Sequence, residues 1–161
     1  MQSYQPSERR NLTAGQRVTD VPSNHGFPPN PYNPHAWIVG EPTIGQGVWI
    51  GAFTVIDGSG GLSIGPDCDI SSGVHIYSHS TVARCISGRR RDIERAATEI
   101  GNNVYIGANA VVLMGTTVGH HSVIGAGAVV KEHTQIPPYS LVVGVPARVI
   151  PGGASRMAEA E

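Results

Sequence analysis

Residues 100–130 read IGNNVYIGANAVVLMGTTVGHHSVIGAGAVV, and their spacing decides the fold. Counting from Ile100, a β-branched aliphatic residue returns at every sixth position: Ile106, Val112, Val118, Ile124 and Val130, then Ile136 and Val142. Upstream, Ile64, Ile70, Ile76 and Val82 fall in the same phase, while Ile44, Ile50 and Ile56 keep the spacing but are displaced by two residues. Four places after each aliphatic stands a second column: Val48, Thr54, Cys68, Val74, Ser80, Val104, Ala110, Thr116, Ser122, Ala128, Thr134 and Ser140. Every member is small or β-branched. Gly often follows the aliphatic residue, as at Gly45, Gly51, Gly65, Gly101, Gly107, Gly119 and Gly125.

A period of six matches neither the 3.6-residue turn of a helix nor the two-residue alternation of a strand. It matches short extended segments joined by tight corners, where Gly or a small polar residue tolerates φ > 0. Three such segments close a triangular coil of about 18 residues, and successive coils stack at the strand spacing of roughly 4.8 Å. The aliphatic residues then point inward as ladders, and each coil buries its apolar face only against its neighbours. The expectation is an all-β parallel solenoid of about five coils.

Composition agrees. The chain has 161 residues, room for one ordinary domain. Its 14 Ile and 18 Val against 4 Leu favour a pleated core over a helical one, which excludes bundles and coiled coils. Lys+Arg 11 against Asp+Glu 12 argues against a broad nucleic-acid or membrane surface, either of which needs an excess of basic residues. Gly interrupts every apolar run, so no segment reaches the roughly 20 residues of a membrane span. The first residues, MQSYQPSERRNLTAGQ, lack the apolar core of a secretory signal. Two cysteines, Cys68 and Cys85, make neither a disulfide framework nor a zinc motif, and a cytoplasmic protein is expected.

Two segments leave the hexads. Residues 1–36 are polar and Pro-rich and read as an irregular N-terminal arm; 37–150 form the solenoid domain and 151–161 a C-terminal tail. Residues 83–98, ARCISGRRRDIERAAT, interrupt the repeat, yet Ile100 resumes in the phase of Val82. The excursion therefore either replaces one coil or bulges from a corner. A protruding loop is favoured, because Arg89, Arg90 and Arg91 cannot point inward unpaired.

The quoted stretch, together with IPPYSLVVGVPARVI at 136–150, resembles the hexapeptide-repeat acyltransferases, nearest the galactoside, maltose and polysaccharide-biosynthesis O-acetyltransferases. The resemblance runs over about residues 37–150. It implies a left-handed parallel β-helix and a homotrimer, with acetyl-CoA in the groove between chains. It also implies acetyl transfer to a sugar hydroxyl, or less readily a sugar amine, with no metal. In that family a catalytic His lies in the loop after a segment similar to ISSGVHIYS, here residues 70–78, which points to His79. His75 is the second candidate: it precedes an inward Ile, so it faces outward, lining the acceptor pocket or facing solvent. The chemistry needs such a base, because an acceptor hydroxyl must lose a proton as it attacks a thioester, and imidazole titrates near neutrality. By the same resemblance the backbone N–H of Ala108 faces the developing oxyanion. Tyr105 stands where the family usually has Trp, Ala126 lies beside the pantetheine arm, and Lys131 and Arg148 lie near the nucleotide phosphates.

Bland readings stand beside these. Asp67 and Asp69 flank a corner and either bind acceptor or cap the turn; Arg89 and its neighbours are either a solvated face or a phosphate site. His120 and His121 read as a corner, Cys68 as core and Cys85 as a free thiol. Two other classes compete. A γ-type carbonic anhydrase-like enzyme would place zinc on three His across an interface, but Ala108 stands where such enzymes have His and no Arg-x-Asp segment precedes the repeats. A non-catalytic scaffold has no need of the arginine-rich excursion, and an ice-binding face would need Thr-x-Thr rows that the sequence lacks.

Overall fold

The computed structural model describes residues 30–159. Most of the arm expected over 1–36 lies outside the described residues. Its last part, 30–36, is a turn in which the Asn30 side chain donates to the carbonyls of Asn33 at 3.0 Å and Ala36 at 3.1 Å.

From Trp37 the chain winds in three-strand coils. The first coil is β1 (Trp37–Val39), β2 (Thr43–Ile44) and β3 (Trp49–Ile50), and the second is β4 (Val55–Asp57), β5 (Leu62–Ile64) and β6 (Asp69–Ile70). The third begins with β7 (His75–Ile76) and then leaves the wall for β8 (His79–Ser80), helix α1 (Val82–Ile86) and β9 (Glu94–Arg95). It resumes with β10 (Thr98–Ile100) and β11 (Tyr105–Ile106). The fourth is β12 (Val111–Val112), β13 (Thr117–Val118) and β14 (Val123–Ile124); the fifth is β15 (Val129–Val130), β16 (Gln135–Ile136) and β17 (Leu141–Val143). A return strand, β18 (Arg148–Ile150), pairs antiparallel with β17, and helix α2 (Ser155–Ala158) follows.

Three parallel faces result: β1-β4-β7-β12-β15, β2-β5-β10-β13-β16 and β3-β6-β11-β14-β17, the last closed by β18. The wall therefore runs to about six turns when the closing strand is counted, slightly more than the five expected. The class is as expected, an all-β parallel solenoid with very little helix. No helix among the described residues is long and apolar enough to cross a membrane.

The regular corners follow one rule. The aliphatic ladder is buried, with Ile56, Ile70, Ile76, Ile106, Ile124 and Val142 fully enclosed. Three places later the backbone turns left-handed, at Gly47, Phe53, Asp67, Gly73, Asn103, Asn109, Gly115, His121, Gly127, His133 and Tyr139. That turn aims the next residue inward, which is why the small column fills the core: Cys68, Val74, Val104, Ala110, Thr116, Ser122, Ala128 and Ser140 are buried. Buried hydroxyls bond to corner carbonyls, as Thr116 Oγ1 does to Leu113 O at 2.8 Å and Ser140 Oγ to Pro137 O at 2.7 Å, so none among the described residues is left unsatisfied. Gly107 must be Gly for a different reason: a Cβ there would lie 2.5 Å from the backbone nitrogen of Ala126 in the next coil.

The expectation for Val82 and Ser80 is corrected. Val82 lies on α1 and is largely exposed, and Ser80 lies on β8, outside the core column. The chain leaves the wall directly after Ile76, and Ile100 takes the place on the second face that Val82 was expected to fill. The insertion is a whole multiple of six, so the hexad count passes through it unbroken although the chain does not. Of the two alternatives, the excursion is the bulge from a corner. Thr98 ties its two ends, donating to Tyr77 O at 2.8 Å and accepting from Gly115 N–H at 3.1 Å.

Candidate active site

The excursion leaves from the edge between the first and second faces. There the corner after β4 is also irregular: Ile56 and Ile64 are eight positions apart, two more than the repeat allows, and the two extra residues are taken up within Gly-Ser-Gly-Gly at 58–61. This corner and the base of the excursion fold onto one another. Asp57, the last residue of β4, is buried, and His79 on β8 brings its Nδ1 to 2.6 Å from Asp57 Oδ2. The Ser78 backbone N–H donates to the same oxygen at 3.0 Å, and the Ser59 backbone N–H donates to Oδ1 at 3.1 Å. Ser59 Oγ lies 3.2 Å from His79 Nδ1.

Burial alone would raise the Asp57 carboxyl, but hydrogen bonds from Ser78, Ser59 and His79 outweigh it and hold it down at about 2. Near neutral pH it is therefore an acceptor only. With Asp57 ionised, the proton in the 2.6 Å contact lies on His79 Nδ1, and in the uncharged form of that tautomer the lone pair is on Nε2. About a third of the His79 side chain is exposed, so the imidazole is reachable from solvent. Asp57 was absent from the candidates read in the sequence. Its signal was the two-residue shift in phase after Ile56, where a charged residue follows an inward Ile that is elsewhere most often followed by Gly.

Gly60 is the hinge of this arrangement. Its N–H donates to Ser78 Oγ at 2.8 Å, and a Cβ at position 60 would collide with the Ser78 carbonyl oxygen. Gly60→Ala is expected to push Ser78 and His79 off Asp57, destabilising the fold by about 1–3 kcal/mol. Denaturant unfolding and the ring-proton shifts of His79 check this; an unchanged midpoint with unchanged shifts would show that the corner yields without moving the histidine.

His75 sits on the outer surface of the first face, between Val55 and Val111 in register, and is partly buried. Its Nδ1 is hydrogen-bonded to Tyr77 OH at 3.1 Å. The Tyr77 ring meets His75 edge-on at 5.8 Å and His79 edge-on at 6.4 Å. Tyr77 thus spans the two histidines, another contact the sequence did not suggest.

The remaining candidates divide by edge. Ala108 and Ala126 occupy successive corners between the third and first faces, joined by the Gly127 N–H donating to Ala108 O at 2.9 Å. Arg148 pairs in register with Val143 at the same edge and is exposed. A Cβ on Gly127 would meet nothing within 4 Å, so the space beside that corner is open. The first face lies between this edge and the His79 edge, since β12 starts just after Ala108 and its neighbour β7 ends just before the excursion. Within one chain, Ala108 and His79 are therefore not together. Lys131 is on the His79 edge, and Arg89 is in the excursion.

Tyr105 stands on the third face between Asp69 and Val123, half exposed, with its OH accepting from Ser71 Oγ at 3.2 Å. Asp69 shares that face, and Asp67 turns the corner between the second and third faces with φ 56°. Both are remote from His79 within the chain. His120 and His121 form another corner of that edge, where the His121 ring stacks on Tyr139 at 4.9 Å. Cys68 is buried, its thiol pushed up by that burial and donating to Gly101 O at 3.1 Å, while Cys85 is exposed.

Comparison with known proteins bears on this geometry. Residues 97–132 match the family model of the bacterial transferase hexapeptide (six repeats), and residues 43–78 match that of the hexapeptide repeat of succinyl-transferase. A serine acetyltransferase of Staphylococcus xylosus is 34% identical over 107 residues, covering 66% of this chain and 47% of that protein. The chain thus spans about half the length of this curated relative. Among solved structures, AntD, an N-acyltransferase from Bacillus cereus in complex with dTDP and 3-hydroxybutyryl-CoA, superposes with TM-score 0.63 at 24% identity, over 73% of this chain and 65% of that one, a likeness of fold. A maltose O-acetyltransferase from Clostridium difficile 630 superposes with TM-score 0.55 at 25% identity, over 72% of this chain and 65% of that one. Taken with the six-residue corners that these matches follow, residues 43–78 and 97–132 carry transferase-type hexapeptide repeats, and the chain is similar to hexapeptide-repeat acyltransferases.

Proposed function

We propose that the protein is an acetyl-CoA-dependent acetyltransferase acting on a hydroxyl of a sugar-containing acceptor. The observation that carries this reading is the His79–Asp57 pair, in which a buried carboxylate fixes the Nδ1–H tautomer and leaves Nε2 as a base at an accessible edge. An alcohol needs such help: it is a weak nucleophile until its proton is withdrawn, and a positioned base contributes about 10²–10⁴-fold. Acetyl-CoA supplies the thioester carbonyl. Transfer is direct between two bound substrates: the acceptor oxygen bonds to the acetyl carbon, the C–S bond breaks, and the proton held by His79 passes to the departing thiolate. The Ala108 N–H is assigned to the oxyanion, a donor worth roughly 10²–10³-fold.

The site is assigned to an interface between copies of the chain in a homotrimer. Ala108, Ala126 and Arg148 share one edge and His79 the other, so one chain's base needs its neighbour's pantetheine edge. Small side chains at 108 and 126 and the open space at Gly127 suit a close-lying pantetheine arm. Tyr105 and Lys131 are assigned to cofactor contact and His75 and Arg89 to the acceptor, while Asp67 and Asp69, on or beside the corner that belongs to neither edge of the site, take the turn-capping alternative. The sugar class draws on the maltose O-acetyltransferase likeness.

Calorimetric titration of acetyl-CoA into the purified chain, with sedimentation on the same sample, tests the reading. Saturable binding near one per chain by a trimer is expected. Absence of binding, or a clean monomer that turns over at full rate, would overturn it.

A further inference from the structure

The excursion is basic in a chain whose formal charge is −1. Arg84, Arg89, Arg90, Arg91 and Arg95 fall within it, against Asp92 and Glu94. Two of the five are engaged: Arg91 pairs with Glu94 at 2.9 Å, and Arg90 Nε donates to Ser87 O at 2.8 Å. Among the described residues, the side chains of Arg84, Arg89 and Arg95 have no hydrogen-bond or ion-pair partner. Their positions are not scattered. Arg95 is the register partner of His79 in the antiparallel pair β8–β9, and directly opposed residues have Cβ atoms about 4.5–5.5 Å apart on one side of the ribbon. Arg84 and Arg89 line a depression of about 490 Å³ with Thr81, Cys85 and Gly88, and Thr81 follows His79 by two residues. Arg89 holds a left-handed backbone, φ 65°, with its N–H donating to Arg84 O at 2.8 Å, which fixes the two arginines relative to each other.

Guanidinium groups left without carboxylates beside a general base are suited to an oxyanion carried by the molecule that the base deprotonates. We propose that the excursion binds an anionic group on the acceptor, a phosphate, sulfate or carboxylate, through Arg84, Arg89 and Arg95, so that the acceptor is an acidic sugar derivative and not a neutral one. The inference rests on the acetyltransferase reading and adds the charge class of its acceptor. Neutral sugars lack a partner for these three cations. The phosphates of acetyl-CoA are the competing source of the same chemistry, assigned above chiefly to Arg148 and Lys131.

The test is a nuclear magnetic resonance titration of the full chain, following the Nε–Hε signals of the arginines, with inorganic phosphate, glucose 1-phosphate and glucose in turn. Saturable shifts at Arg84, Arg89 and Arg95 are expected with both phosphates and not with glucose, and they should persist when CoA is saturating. The double variant Arg89→Gln/Arg95→Gln should weaken phosphate binding at least tenfold. No saturable shift, equal response to glucose, or an unchanged double variant would overturn the proposal. Displacement of phosphate by CoA would assign these arginines to the cofactor and overturn it equally. Failure of the acetyltransferase reading would appear elsewhere, as absent acetyl-CoA binding in the calorimeter with the phosphate shifts intact.

Discussion

His79→Ala is expected to lower turnover by about 10²–10⁴-fold, the usual worth of a positioned general base, while acetyl-CoA binds as tightly as before. The separation follows from the placement of His79 on one edge and of the pantetheine candidates on the other. Removing the imidazole also removes one donor from Asp57, but the carboxylate keeps the N–H groups of Ser78 and Ser59. The fold should therefore survive. Thiol release in a steady-state assay gives turnover, and calorimetry gives cofactor affinity. Should His75→Ala prove the more damaging change, the base would be the imidazole that is bonded to Tyr77 OH. A His79→Ala protein that keeps full turnover but unfolds more readily would reduce His79 to a brace of the excursion.

The solenoid was legible because its determinants are local. An inward Ile or Val, a left-handed residue three places on and a small residue four places on are all set within one hexad, as at Ile106, Asn109 and Ala110. Repetition then multiplies a weak signal. Asp57 escaped that logic because its role comes from a residue twenty-two positions later, brought back by the exit of the chain after Ile76. Periodicity cannot report where a chain leaves the wall when the inserted length is itself a multiple of the period, and that is why Val82 read as core and stands exposed on α1. His79 was singled out as a candidate only through family resemblance, because no local pattern separates it from His75. The split of Ala108 and His79 between edges follows from which corner each occupies, a matter of coil geometry that spacing alone does not assign.

Asp57→Asn is the sharper probe, because it removes one charge and almost no volume. Both carboxylate oxygens face N–H groups: Oδ1 that of Ser59, Oδ2 those of Ser78 and His79. Whichever way an asparagine turns, its NH₂ confronts a donor, so at least one buried hydrogen bond is lost at a cost of about 1–3 kcal/mol. The imidazole is no longer held with its proton on Nδ1, and Nε2 ceases to be reliably the free base. In a serine-protease triad the equivalent change costs about 10⁴-fold in turnover, and a loss on the order of 10²–10⁴-fold is expected here. The stability consequence has a sign that can be checked. A carboxyl held at about 2 in the fold, against an ordinary 3.8, stabilises the native state above pH 4 and loses that contribution as pH falls toward 2. The shift corresponds to roughly 2 kcal/mol. Urea unfolding of both proteins should accordingly show the widest gap near neutral pH, narrowing as the acid drops from about pH 4 to about pH 2. A gap that stays constant over that interval would mean that Asp57 is not ionised in the fold. Wild-type turnover in the variant would mean that Asp57 does not orient the base.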